Sequence, residues 1–352
     1  MDWPAMNRTV VRKWFALSLL ALAGFFAWPA TIHAREPVRL IFDTDMGNDI
    51  DDALALAMIH ILSDRGECEL LAVTITKDNR YSAPFVDLVN TFYGRKAVPV
   101  GVVRNGMTPK DSAYTREPVL AADNGRPRYP HALGDGKDAP EAVALLRKVL
   151  AKQPDGSVVM AQVGFSTNYA RLLDSKPDDA SPLDGKELVR KKARLLSIMA
   201  GGFSEELVAK RYKEYNVKID VPACQKLATE WPTPVVWSGY EIGKAILFAA
   251  QCVENDFGYV KHHPIREAYG LYMKMPYDRP TWDLTSVLYA VRPDHGYLDL
   301  SAPGRVIVEQ DGFTKFEPDP NGKHRFLKVN AEQIIRVKTT QEVLCSQPPL
   351  RK

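Results

Sequence analysis

Five aspartates lie within ten residues of this chain, between an apolar stretch typical of a buried strand and an Ala/Leu-rich stretch typical of a helix. They are Asp43, Asp45, Asp49, Asp51 and Asp52. The apolar stretch is residues 40–42, and the helical pattern begins near Ala53. Because ligands of an open α/β sheet collect at the carboxyl ends of its strands, this order predicts a strand, a loop that carries a ligand site, and a helix.

Carboxylates this close together need a compensating charge, because they repel one another and raise one another's pKa unless a cation neutralises them. Oxygen ligands suit a hard ion, and several of them on one loop suit Ca²⁺. The alternative is that Asp49 or Asp51 only caps the following helix by accepting hydrogen bonds from its free N–H groups. Capping accounts for one or two of the acids and not for five, so the loop predicts a calcium site.

The beginning of the chain, residues 1–34, has the pattern of a secretory signal peptide. Three basic residues within positions 8–13 precede an uncharged, mostly apolar run at 14–28, and the small residue Ala34 ends the segment. We expect cleavage after Ala34, a periplasmic or secreted protein, and no stable membrane association after cleavage. An uncleaved membrane anchor is the alternative, although the apolar run is short for a complete span.

Strand and helix patterns alternate along the rest of the chain, which predicts a doubly wound, mostly parallel open sheet of the Rossmann-like kind. The expected strands after the aspartate loop are 70–75, 98–103, 157–163, 193–199 and 235–238. The expected helices are 82–93, 139–152, 168–173, 221–229 and 240–250. A terminal antiparallel set, which makes the sheet mixed, is expected at 305–308, 313–316 and 325–329. Residues 105–138 predict one long loop, and residues 35–352 are expected to form a single domain.

Composition narrows the class of partner. The formal net charge is only +3, and the basic run at 190–192 is typical of a solvated helix end, so no nucleic-acid partner is expected. Four cysteines in an exported chain could pair in three ways, and the sequence chooses none of them. They are Cys68, Cys224, Cys252 and Cys345. The composition therefore gives no sign of a nucleic-acid partner, and the sequence leaves a possible homo-oligomer open.

Four shorter motifs follow later strands, and each of them is weak alone. They are residues 164–168 (GFSTN), 201–202 (GG), 214–216 (EYN) and 282–283 (WD). Together with the opening motif at 43–53, their order resembles the inosine–uridine-preferring nucleoside hydrolase family over nearly all of the chain after residue 37. That family opens with Asp-x-Asp-x-Gly-x-Asp-Asp-Ala, and this chain is similar to it with two extra residues.

The resemblance implies a nucleoside hydrolase fold and the calcium-dependent cleavage of ribonucleosides or related ribosides to ribose and a free base, as in purine and pyrimidine salvage. It implies that Asp45 is both a calcium ligand and the general base on a calcium-bound water. The other implied ligands are Asp52, one of Asp49 and Asp51, the main-chain carbonyl of Thr167, and Asp283. The implied substrate-binding residues are Asp78, Asn79, Asn168, Glu214, Asn216 and Trp282.

The chain departs from the family pattern near the sugar and the base. Trp282 stands where many members have a histidine that helps to protonate the leaving base, and residues 207–209 lack the family's asparagine. His262 and His263 could protonate a base, although a loop pair is more often exposed. Trp282 could stack on an aromatic leaving group or lie in the core.

Two other functions stay open at this level. A non-catalytic periplasmic binder of nucleosides or carbohydrates would fit the altered sugar contacts, whereas the retained Asp45 favours an enzyme. Residues 42–45 also resemble the Asp-x-Asp motif of haloacid-dehalogenase-type phosphatases, which use Mg²⁺. The crowding of acids directly after the first strand disfavours a phosphatase, because that fold needs a late lysine and an acidic pair at another strand end.

Overall fold

The apolar run before the aspartates forms the first strand, β1 (Val38–Thr44), which is buried at nearly every position. Leu40 and Phe42 pack into one hydrophobic cluster and Ile41 packs into another on the opposite side. This alternation follows from the extended backbone, whose successive side chains point to opposite faces. Burial of both faces is expected of a parallel strand that helices cover on both sides.

The computed structural model describes Met1 and residues 36–350. From Pro37 onward the described chain forms one compact unit. The signal-peptide prediction concerns residues 1–34, which apart from Met1 lie outside the described residues. Within the described residues, no helix has both the length and the apolar character needed to cross a membrane.

The remaining strands include long central ones and several short ones. They are β2 (Cys68–Lys77), β3 (Val100–Met107), β4 (Ala122–Asp123), β5 (Arg126–Pro127), β6 (Val158–Gln162), β7 (Ala193–Met199), β8 (Val235–Ser238), β9 (Leu247–Phe248), β10 (Arg279–Pro280), β11 (Asp299–Leu300), β12 (Gly304–Val308), β13 (Thr314–Pro318) and β14 (His324–Lys328). Within the described chain, ten strands form one sheet in the order β13-β12-β14-β8-β7-β6-β1-β2-β3, with β11 paired to β14.

The sheet confirms the predicted fold class. Strands β3, β2, β1, β6, β7, β8 and β14 are parallel to their neighbours in that series, and β11, β12 and β13 add antiparallel pairs at one edge. From β1 the chain runs to β2 and β3 on one side and later returns to place β6 on the other side. The carboxyl ends of β1 and β6 therefore flank a topological switch point, where ligands of such sheets bind.

Helices cover both faces of the sheet. They are α1 (Asp51–Asp64), α2 (Ser82–Phe92), α3 (Ala113–Leu120), α4 (Ala142–Ala151), α5 (Thr167–Asp174), α6 (Gly185–Lys192), α7 (Glu205–Ala209), α8 (Tyr215–Ile219), α9 (Val221–Glu230), α10 (Tyr240–Ala245), α11 (Ala250–Asn255), α12 (Pro264–Tyr272), α13 (Trp282–Val291) and α14 (Ala331–Ser346). Helix α1 is buried from its first residue through Leu62 and packs against α13 and α14. Its amino terminus, which carries two of the aspartates, is thereby held inside the protein.

Three predictions about secondary structure were wrong in part. The expected loop at 105–138 contains α3 and the β4–β5 hairpin, because tertiary contacts order a polar segment that has little periodicity of its own. The helix expected at 240–250 ends at Ala245. In the terminal set, β12 and β13 pair antiparallel as expected, but β14 also pairs in parallel with β8 and so extends the main sheet.

The four cysteines, Cys68, Cys224, Cys252 and Cys345, are all buried and free, so no disulfide joins them.

Candidate active site

A cavity of about 370 Å³ opens at the carboxyl ends of the central strands. Among the described residues, six carboxylates line it: Asp45, Asp49, Asp51, Asp52, Glu214 and Asp283. Five aromatic side chains line it as well: Tyr212, Tyr215, Tyr240, Tyr272 and Trp282. The volume suits a small organic ligand, and the lining combines apolar faces with a few polar groups, as binding sites for such ligands usually do.

Three of these carboxylates meet at the amino termini of two helices. Asp51 and Asp52 begin α1, and Asp283 is the second residue of α13. Their ligand oxygens all lie within 4.8 Å of one another, and all three side chains are buried. The main-chain N–H of Asp283 donates to Asp51 Oδ2 over 3.1 Å, which joins the two helix ends. Helix amino termini stabilise negative charge, so this placement favours carboxylates.

These carboxylates are not compensated by protein groups alone. Burial raises the pKa of Asp51, Asp52 and Asp283 well above the usual range, and neighbouring carboxylates raise it further. Asp52 Oδ1 accepts a hydrogen bond from the Thr44 hydroxyl, but Asp52 Oδ2 is buried without a hydrogen-bond partner. Calcium–oxygen distances of about 2.3–2.6 Å allow two ligand atoms to lie up to about 5 Å apart. The donor set therefore fits a hard divalent cation such as Ca²⁺.

Asp45, the predicted general base, lies in the cavity wall directly after β1 and is 4% exposed. Asn48 Nδ2 donates to Asp45 Oδ2 over 2.7 Å, and Lys77 Nζ donates to Asn48 Oδ1 over 2.8 Å. Burial raises the pKa of Asp45 to about 6, while the hydrogen bond from Asn48 lowers it and the charge of Asp49 raises it. A pKa near neutrality suits a group that accepts a proton during catalysis.

Asn48 and Lys77, which hold Asp45 in place, were not among the functional residues predicted from the sequence. Asn48 lies in the part of the opening motif that is longer than the family pattern. This extra length was the one feature of the sequence that could have drawn attention to it. The turn before it depends on Gly47, whose φ of +115° favours glycine and whose absent Cβ would lie 2.9 Å from Lys77 Cδ. The close passage of Lys77 beside this turn therefore requires the glycine.

The structure separates Asp49 from Asp51, which the sequence had left as competitors for a ligand role. Asp51 joins Asp52 and Asp283, whereas the carboxylate of Asp49 forms a two-pronged ion pair with Arg279, with Arg279 Nε 2.9 Å from Asp49 Oδ1. The main-chain carbonyl of Asp49 also accepts from the Tyr114 hydroxyl. Asp49 lines the cavity, but its charge is already compensated by an arginine that sequence reasoning missed.

Glu214 and Asn216, the predicted sugar-binding pair, both line the cavity and are buried. Glu214 caps α8, and its two carboxylate oxygens accept from the N–H groups of Gly201, Asn216 and Val217. Burial raises the pKa of Glu214 to about 7, against the lowering effect of these N–H donors. The Asn216 amide nitrogen donates to the main-chain carbonyls of residues 163 and 199.

Two of the predicted site residues are the first two residues of α5 and do not reach the cavity lining. The hydroxyl of Thr167 donates to Asp220, and Asn168 Nδ2 donates to the buried Asp43 Oδ1 over 2.8 Å. Neither residue lines the cavity. The role of the Thr167 carbonyl as a calcium ligand and that of Asn168 in substrate binding stay predictions.

The pair after β2 also lies outside the cavity lining. Asp78 Oδ2 accepts from the N–H of Gly106, and Asn79 Nδ2 donates to Pro109 and Asp111. Asp78 thus holds the end of β3, and Asn79 holds the segment that follows it. The structure therefore gives them a role in loop geometry and does not bring them to the other predicted substrate-binding residues.

Trp282 forms part of the aromatic wall. Its Nε1 donates to the Tyr240 carbonyl over 2.9 Å, and the two rings stack with centroids 5.5 Å apart. The Arg279 guanidinium lies over the same indole at 5.3 Å and over the Tyr272 ring at 5.0 Å. Trp282 is thus fixed at the cavity wall rather than buried in the core.

No histidine among the described residues lines this cavity. His263 is buried and caps α12 through Nδ1, and burial lowers its pKa to about 3. His262 pairs with Glu267 at 2.9 Å. Neither histidine is placed to protonate a leaving group in this cavity.

Comparison with known proteins agrees with the fold. A family model described as inosine-uridine preferring nucleoside hydrolase matches residues 40–339. An uncharacterized protein of Schizosaccharomyces pombe is 25% identical over 283 residues, which cover 73% of this chain and 81% of that protein.

Solved structures share the fold at low identity. The plant nucleoside hydrolase PpNRh1 superposes with a TM-score of 0.65 at 19% identity, covering 89% of this chain and all of that one. An inosine-uridine preferring nucleoside hydrolase from Bacillus anthracis gives 0.62 at 15% identity, covering 87% and 99%. A purine-preferring ribonucleoside hydrolase from Gardnerella vaginalis gives 0.61 at 16% identity, covering 88% and 99%.

Proposed function

Because the chain belongs to the inosine-uridine preferring nucleoside hydrolase family, we propose that it is a calcium-dependent enzyme that cleaves the N-glycosidic bond of ribonucleosides or related ribosides to ribose and a free base. The observation that carries this proposal is the placement of Asp45 in one cavity with the buried group Asp51, Asp52 and Asp283. Such a hydrolysis needs a general base and a carboxylate cluster that fits a hard cation.

Asp51, Asp52 and Asp283 would hold the ion, with Asp45 and the Thr167 carbonyl as the further ligands that the family resemblance implies. When bound, Ca²⁺ lowers the pKa of a coordinated water and orients the vicinal hydroxyls of the sugar. The residues fit this role because their oxygens are close together and buried, and because Asp52 Oδ2 has no hydrogen-bond partner.

The protein groups account for the remaining steps. Asp45 accepts a proton from the attacking water, and we assign this proton to Oδ1 because Asn48 holds Oδ2. Cleavage of the bond develops positive charge on the sugar ring, as in glycoside hydrolysis. The fixed carboxylates of the cavity stabilise that charge without reorganising. Glu214 and Asn216, which line the cavity near Asp45, are assigned to the sugar hydroxyls.

A non-catalytic binder on the same scaffold is the second candidate. The observation that favours it is that both Glu214 oxygens and the Asn216 amide nitrogen already bond to the main chain. The retained Asp45, with its pKa near neutrality, favours an enzyme. The phosphatase alternative loses its support, because the family match covers most of the chain.

Turnover of p-nitrophenyl β-D-riboside separates the two candidates. We expect release of p-nitrophenolate with calcium and loss of that release with a strong chelator, because the leaving group departs unaided and only water attack is required. Calcium added back in excess should restore the rate. A binder would show affinity for ribosides by calorimetry with no release of the free phenolate under either condition.

We propose that the mature protein is one periplasmic or secreted domain that begins near Arg35. The motivation is the signal-peptide pattern of residues 1–34. Protein isolated from its native host should give an amino-terminal sequence that starts within a few residues of Arg35 by mass spectrometry or Edman degradation. A soluble cytosolic protein that retains Met1 or Met6 would contradict this expectation.

A further inference from the structure

Among the described residues, the cavity lining offers no histidine that could protonate a leaving base. The position expected to carry a histidine is the fixed Trp282. Burial raises the pKa of the Tyr212 and Tyr272 phenols, which makes them weaker acids than free tyrosine. The Glu214 carboxylate accepts three main-chain N–H groups and is held as an acceptor.

The cavity also carries an excess of negative charge. Six carboxylates line it. The cations beside its lining residues include Arg279, which is paired with Asp49, Lys77, which donates to Asn48, and Lys218, whose ammonium lies 5.6 Å from the centroid of the Tyr215 ring. A bound divalent ion would offset two of these charges and would leave the lining negative. Such a cavity attracts cations and disfavours anions.

The aromatic wall adds a second preference for cations. Tyr272 and Trp282 already hold the Arg279 guanidinium over their rings, at 5.0 and 5.3 Å from the centroids. Tyr212 and Tyr240, with ring centroids 4.7 Å apart, continue this wall. Aromatic faces attract positive charge and also stack on flat rings, so the wall suits a ring that is both aromatic and cationic.

We propose that the preferred substrates are ribosides in which a cationic aromatic ring is joined to the sugar through a quaternary ring nitrogen, as in an N-ribosylpyridinium. This inference rests on the proposed hydrolase function and names its substrate class. It follows from three independent features of the described cavity: the negative lining, the aromatic wall and a lining without a histidine.

The reaction balances without a general acid. The water oxygen forms a bond to C1′ of the ribose while the C1′–N bond breaks. The electron pair of that bond stays on the ring nitrogen, so the positive ring leaves as a neutral pyridine. One water proton passes to Asp45 and then to solvent. A purine or uracil would instead leave as an anion unless a group of the protein protonated it.

The test compares nicotinamide riboside, a pyridinium probe, with inosine, uridine and p-nitrophenyl β-D-riboside, using the mature protein with calcium. General acids contribute about 10²–10⁴-fold to such reactions. We therefore expect kcat/KM for nicotinamide riboside to exceed that for inosine and uridine by on the order of 10²-fold. Equal or faster cleavage of inosine or uridine would overturn the inference and leave the hydrolase function standing.

The dependence of KM on ionic strength distinguishes recognition of the substrate's charge from the intrinsic reactivity of its leaving group. Raising the ionic strength from about 0.02 M to about 0.5 M shortens the Debye length from roughly 20 Å to roughly 4 Å. KM for nicotinamide riboside should rise several-fold over this range, while KM for the uncharged p-nitrophenyl riboside should stay constant. A KM for nicotinamide riboside that is independent of salt would overturn the charge argument.

Replacement of the tryptophan tests the missing acid directly. Trp282→His should raise kcat for inosine relative to that for nicotinamide riboside, because only inosine needs a proton at its leaving group. An unchanged ratio in a folded, calcium-binding variant would count against the inference. If the unaltered protein with calcium cleaves none of the four ribosides, the hydrolase function itself fails, which the other outcomes do not imply.

Discussion

Asp45→Asn should lower the rate of riboside hydrolysis on the order of 10²-fold or more, the scale of general-base catalysis, while the fold is kept. The amide has nearly the same shape as the carboxylate but cannot take the proton of the attacking water. The measurement is kcat on p-nitrophenyl β-D-riboside, whose leaving group departs without protonation, so that only the water-activating step is probed. Calcium content by elemental analysis should accompany each rate.

The control is Asp155→Asn, which also removes one carboxylate but at an exposed position that does not line the cavity. This variant should keep a rate near that of the unaltered protein. Turnover by Asp45→Asn near the unaltered rate, with calcium bound, would remove Asp45 from its role and with it the main support for the hydrolase proposal.

Removal of calcium should destabilise the protein, and the destabilisation should grow as the pH rises. Burial raises the pKa of Asp45 from 3.8 to about 6, and it raises those of Asp51, Asp52 and Asp283 as well. A folded-state pKa above the unfolded value contributes stability that is complete below about pH 4 and is lost as the pH rises through the folded pKa. A bound cation removes this loss because it stabilises the ionised carboxylates.

The expected size follows from Asp45 alone. A shift of about two pKa units corresponds to about 3 kcal/mol once the group is fully ionised in the folded state. We expect the difference in Tm between protein with calcium and protein with chelator to be small at pH 5 and to reach at least about 5 °C at pH 8. Equal Tm values at both pH values, with no calcium by elemental analysis, would exclude the metal site.

The buried histidines outside the cavity lining cancel in this comparison. Burial lowers the pKa of His60 and His263 to about 3 and that of His324 to about 4, so these residues reduce stability as the pH falls below about 6.5. They lie outside the cavity lining and act equally with and without calcium. Asp283→Asn is the matched variant: it removes one member of the buried group and should shrink the effect of calcium on Tm.

Much of the fold follows from local pattern. The strand before the aspartates, the helix after them and the alternation of later elements are all periodic signals, because burial on a sheet or a helix imposes its own spacing on the chain. Strands β7 and β8 have the expected bounds. The opening motif was the specific signal for the family, and the order of the shorter motifs after it supported the same prediction.

Elements whose stability comes from distant contacts were not predictable in this way. Helix α3 carries Pro118 and has little periodicity, yet Tyr114 within it bonds to Gly47 and Asp49 across the aspartate loop. Strand β14 joins the main sheet through β8, a pairing that no local signal indicates.

At the site, the sequence determined which residues could act, and the tertiary structure decided which of them act together. The residue types and spacing of the opening motif predicted a carboxylate site for a cation, and the resemblance to the family implied a base at Asp45. The choice between Asp49 and Asp51 depends on Arg279, which lies 230 residues away from Asp49 in the chain. The spacing of carboxylates along a loop limits which of them can meet one another. Which distant side chain neutralises each carboxylate is decided by the tertiary fold.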